Sequence, residues 1–140
     1  MIILKITIIL SFVLWAILEG YEEAELFHYK SIAPQPKVVP HFLFTSNRLI
    51  VGALIAWITK DWMFCLGLAM TFSLIHNGIY YHTRHKLNPF IYPLGWRDSS
   101  TTSTAKLNFG FFARMTMAQI GLVLIIVSMV LSAQSQAPLQ

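Results

Sequence analysis

Four apolar runs of nearly bilayer length take up most of this 140-residue chain: Ile2–Leu18, Phe42–Thr59, Trp62–Tyr81 and Phe109–Ala133. About 20 apolar residues in a helix cross the hydrocarbon core of a membrane. Inside lipid each segment must satisfy its own backbone N–H and C=O groups, which a helix does. The expected fold is therefore all-α: a polytopic integral membrane protein, a four-transmembrane-helix bundle forming one domain over 1–140. Charged residues make up only 11% of the chain, against roughly a quarter in soluble proteins. Too little sequence lies outside the runs for a separate soluble domain, and no internal repeat is visible.

Helix-breaking and helix-favouring residues set the boundaries. The first helix is expected over 2–29, since Glu, Ala and Leu beyond Leu18 favour continuation. Pro34, Pro36 and Pro40 confine residues 30–41 to a connection. The second helix is expected over 42–59, and Thr59-Lys60-Asp61-Trp62 reads as a tight turn into an antiparallel third helix over 62–85. Asn88-Pro89 ends that helix. The connection 86–106 mixes aromatics with turn residues, suiting the headgroup layer, and the last helix is expected over 107–133, with N-caps on offer from Asp98 to Thr104. The first run leads into Glu-Gly-Tyr-Glu-Glu rather than an Ala-x-Ala-like cleavage site, so it is expected to stay as a signal anchor. Lys5 reads only as its weak basic start. The single cysteine, Cys65, excludes an internal disulfide and a Cys-based metal motif, and reads as a small packing residue.

The net charge of +4 does not point to nucleic acid, because the basic residues flank apolar runs rather than forming a stripe. Lys30 and Lys37 lie in the first connection; Arg84, Lys86, Arg97 and Lys106 lie in or beside the third, near Arg114. The positive-inside rule then places both termini outside and the two long connections in the cytoplasm of an inner or plasma membrane. Membrane lipids are the expected counterions and partners, and nucleic acid is not. Trp57 and Trp62 fall where an outer aromatic belt would lie.

Polar residues at membrane depth carry the functional signal, because ionisable groups there need partners to offset lost hydration. Counting 1.5 Å per residue, Glu19 lies about 26 Å along the first helix, His76 about 21 Å along the third, and Arg48 about 8 Å in from the cytoplasmic end of the second. Three helices thus bring ionisable groups to one level. Glu19, Glu22 and Glu23 share a face, whereas Glu25 and His28 point elsewhere. His76, with adjacent Asn77, aligns with Ser73 and Tyr80, so Glu19, Glu23, Arg48, His76, Asn77 and Tyr80 form the expected intramembrane cluster. His82 and His85 face other directions, so the three histidines make no box on one helix. Gly52-x-x-x-Ala56, on the Arg48 face, is a small-residue stripe suited to close helix contact.

These residue types point to three readings. Glu19, Glu23 and His76 offer ligands to a divalent transition metal or act as an acid–base centre. Arg48, Arg84, Lys86 and Arg114 offer donors to a lipid headgroup phosphate or carboxylate. Alternatively, the chain is a non-catalytic accessory or structural subunit, paired with itself or with other membrane subunits. No complete catalytic motif decides whether it is an enzyme.

Overall fold

In the computed structural model, residues 1–32, 41–99 and 109–135 are described. The protein is all-helical: α1 (Ile2–Ile32), α2 (His41–Thr59), α3 (Trp62–Leu87), a single 3₁₀ turn (Gly95–Arg97) and α4 (Phe111–Gln134). All four helices are long and apolar enough to cross a membrane. α1 continues well past Glu19, as its helix-favouring residues require. α4 begins later than its composition suggests. Gly110 is the N-cap residue, in the extended conformation and without a side-chain cap, so that position is held by neither Asp98 nor Ser99. The other proposed caps, Ser100 to Thr104, lie outside the described residues.

The turn between α2 and α3 has a definite cause. Asp61 is the N-cap of α3, its Oδ1 accepting from the Phe64 N–H at 3.0 Å, and Lys60 takes a left-handed backbone with φ 50°. This satisfies one of the helix's orphan donors and reverses the chain within two residues.

α3 is the central element, flanked by α1 and α4. Its contact with α4 rests on two facing glycines: a Cβ on Gly67 would come 2.7 Å from the Gly121 carbonyl, and one on Gly121 would come 2.6 Å from the Gly67 carbonyl. The backbones touch there, as small residues allow between membrane helices. Phe12, Phe64, Leu68 and Ile125 fill the core beside this contact, with Trp15, Ile55 and Phe72 packed against them. α2 is attached lightly: of its described side chains only Thr59 is buried. The expected Gly52–Ala56 contact is not made among the described residues, none of which lies within 4 Å of a Cβ on Gly52. α2 stands off at that level, leaving the stripe facing a cleft.

The distribution of polarity is inverted relative to a soluble protein. Large apolar side chains such as Ile3, Phe42, Phe90 and Phe112 are exposed, while Lys5, Glu19, His76, Arg84, Asp98, Arg114 and Ser128 are buried. Water would reward the opposite arrangement. An apolar exterior around a hydrogen-bonded polar interior suits helices surrounded by lipid.

Candidate functional site

Gly20 sets the geometry of the polar cluster. A Cβ at that position would lie 2.6 Å from the His76 carbonyl oxygen, so only glycine lets α1 approach α3 this closely. Glu19 and Glu23, one turn apart on α1, then face His76 on α3. Arg48 reaches in from α2: its Nε donates to Glu19 Oε2 at 3.0 Å and its Nη2 to Glu23 Oε2 at 2.7 Å. Asn47 Nδ2 donates to the other Glu19 oxygen at 3.5 Å. The Arg48 guanidinium also lies over the ring of Phe72, 5.2 Å from its centroid, and Phe72 stacks on His76 at 4.9 Å. Glu19 and His76 are almost wholly buried, whereas the Arg48 side chain is 32% exposed.

The contacts around His76 orient its ring. Asn77 Nδ2 donates to Ser73 Oγ at 3.1 Å, which turns the amide oxygen toward His76 Nδ1, 3.0 Å away. Nδ1 therefore carries a hydrogen. His76 Nε2 lies 2.9 Å from Glu23 Oε2. Arg48 Nη2, 3.0 Å from Nε2, brings a positive charge to the same point. Two carboxylates thus face one guanidinium and one imidazole, the partners that ionic groups need once removed from water.

The expected residues fare differently. Glu19, Glu23, Arg48 and His76 converge, and Asn77 joins through the imidazole. Tyr80 turns its ring edge-on to Tyr81 and toward the Arg84 guanidinium. Among the described residues no group of three or more His, Cys, Asp or Glu side chains is arranged to hold a metal ion. The cation between Glu19, Glu23 and His76 is the guanidinium of Arg48. Of the basic residues expected at lipid headgroups, Lys86 is exposed, but Arg84 and Arg114 are buried. Arg114 Nη2 donates to the Asp98 carbonyl at 2.7 Å, and Arg84 Nη2 to the Tyr92 hydroxyl at 2.8 Å.

Beside the cluster, between α1, α2 and α3, lies a half-open cleft of about 170 Å³. Its walls are apolar, including Phe12, Trp15, Gly52, Leu68 and Phe72, and Arg48 is the charged residue on its lining.

Sequence reasoning missed a second polar cluster at the opposite end. Lys5, 1% exposed, donates to Asp61 Oδ2 at 2.6 Å, Ser128 Oγ at 2.7 Å and Ser132 Oγ at 2.6 Å; Ser128 Oγ donates to the same Asp61 oxygen at 2.7 Å. Burial alone would raise the Asp61 carboxyl. Hydrogen bonds from Lys5, the Phe64 N–H and Ser128 outweigh it and hold the group at about 2, below its ordinary 3.8. The signal was available: a lysine inside an apolar run, an aspartate at the same level, and two serines four residues apart on α4. No protein family, curated protein or solved structure matches this chain.

Proposed function

We propose that this chain is an integral protein of an inner or plasma membrane, with both termini on the outer side, that binds a lipid-like molecule between α1, α2 and α3. The molecule's chain lies in the apolar cleft, and an oxygen of its head accepts a hydrogen bond from Arg48. The observation that carries this reading is the position of Arg48. Its Nε and Nη2 are committed to Glu19 and Glu23, while its partly exposed guanidinium lines the cleft, with Nη1 making no hydrogen bond among the described residues. The cleft is smaller than the roughly 300–1,000 Å³ of a site that encloses a whole drug-sized ligand, so it suits one chain segment. Because the two carboxylates already neutralise Arg48, an ester, hydroxyl or carbonyl oxygen fits the head better than a free anion. Glu23 and His76, 2.9 Å apart, lie next to that head.

The test is mass spectrometry of lipids co-purified with the protein in mild detergent. Wild type should carry one lipid class at fixed stoichiometry. Arg48→Gln should lose it through the head, and Gly52→Leu should lose it by filling the cleft. Wild type free of bound lipid would end this reading. One observation favours a second: α2 is nearly unburied and its Gly52 face is uncovered, as in a subunit whose partner helix packs there. Recovery of a stoichiometric protein partner without bound lipid, with His76→Asn still assembling, supports that alternative.

A further inference from the structure

We infer that Arg84 and Arg114 form a second binding site, distinct from the cleft, for a phosphate group at the end of the bundle under the loop 88–98. Both side chains are deeply buried, Arg84 at 5% exposure and Arg114 at 0%. Each commits only its Nη2 to a described acceptor. The Nε and Nη1 groups of both have no hydrogen-bond partner among the described residues, which leaves four buried cationic donor atoms unanswered there. Natural structures rarely leave such donors empty, because each forfeits its hydration for nothing.

The surrounding rings do not meet this need. Arg84 lies over Tyr92 at 4.7 Å and Arg114 over Tyr81 at 5.3 Å, and these two rings are 6.2 Å apart. The two guanidiniums therefore flank one aromatic pair. Stacking engages the face of a guanidinium, whereas its N–H bonds point outward in the plane and call for oxygen acceptors. Asp98, which acts on Arg114, contributes one negative charge against two positive ones. One further anion balances the group, and a phosphate brings several oxygens to four donors.

The loop indicates the source. Phe90 is 95% exposed, and Ile91 and Leu94 on the same loop are also exposed. Apolar tips beside buried cations match a surface whose tips enter acyl chains while its arginines sit level with lipid phosphates.

The experiment is thermal unfolding of the full chain carrying Gly52→Leu, which fills the cleft, in uncharged, phosphate-free detergent buffer. The probes are dioctanoyl phosphatidylglycerol, dioctanoylglycerol as its phosphate-free counterpart, and inorganic phosphate against equal ionic strength of chloride. Phosphatidylglycerol at saturation should raise the midpoint by at least about 3 °C, and dioctanoylglycerol should not. Arg84→Gln and Arg114→Gln should abolish the rise, while Lys60→Gln, at the other end of the molecule, should keep it. A rise with inorganic phosphate alone supports the phosphate site and assigns it to a soluble source. No rise with either phosphate probe, an equal rise with dioctanoylglycerol, or a rise that survives both arginine substitutions overturns the inference. Should the arginine variants not fold, the comparison of the two lipids on the Gly52→Leu protein decides by itself. The cleft plays no part in this measurement, so its failure leaves the proposed function standing.

Discussion

Lys5 shows how a single buried charge organises one end of the molecule. A lone ammonium in an apolar setting costs several kcal/mol, so Asp61, Ser128 and Ser132 act as its substitute for water. The same carboxylate caps α3 and holds α1 against α4, which ties three helices to one turn. Asp61→Asn should therefore destabilise the fold by about 3 kcal/mol, the low end for a broken buried pair, because Asp61 is itself partly exposed. The pH dependence follows from the direction of its shift. A carboxyl held at about 2 in the fold and near 3.8 when unfolded stabilises fully above 3.8, and that contribution disappears as pH falls toward 2. Unfolding midpoints measured across this window should fall in wild type and fall less in Asp61→Asn. Parallel curves for the two proteins would refute the latch.

Among the helices, close approach separates those that are locked together from the one that is merely tethered. α1 meets α3 at Gly20, and α3 meets α4 at Gly67 and Gly121, where the missing Cβ atoms admit a backbone carbonyl of the neighbouring helix. α2 is joined to them chiefly by the Arg48 ion pairs at one end and the Asp61 turn at the other. Two alanine substitutions test this contrast. Gly20→Ala pushes a methyl into the His76 carbonyl and should cost about 1–3 kcal/mol, as overpacking does. It should also weaken the Arg48–Glu23–His76 contacts, visible as a changed His76 imidazole resonance. Gly52→Ala meets open space and should be neutral or stabilising by up to about 1 kcal/mol from helix propensity alone. Equal destabilisation by both would mean that α2 packs tightly after all.

For the whole molecule, the inverted polarity makes lipid the natural surrounding, and each end then holds its own buried ionic cluster. The core between them, centred on Phe12, Phe64 and Leu68, meets each cluster through a ring: Lys5 lies over Phe64, and Arg48 over Phe72, which packs against the core. The proposed orientation is tested by single cysteines at Lys60 and Lys86, both exposed, in a Cys65→Ser background, labelled in intact cells with an impermeant thiol reagent. The Lys60 site should react from outside, and the Lys86 site only after the membrane is opened. Labelling of both from one side would rule out this arrangement of spans.

Number, order and approximate limits of the helices were legible in the sequence, because run length, proline position and helix propensity act locally. The shared level of Glu19, Arg48 and His76 was legible too, since depth along a helix needs only a count of residues. Rotation and spacing were not. Whether Arg48 reached lipid or carboxylate, whether Gly52 or Gly67 made the helix contact, and whether Arg84 and Arg114 pointed outward all depended on which faces met. Those outcomes rest on backbone approach at Gly20, Gly67 and Gly121 and on the path of the loop beyond α3. They are non-local, and only the packed chain decides them.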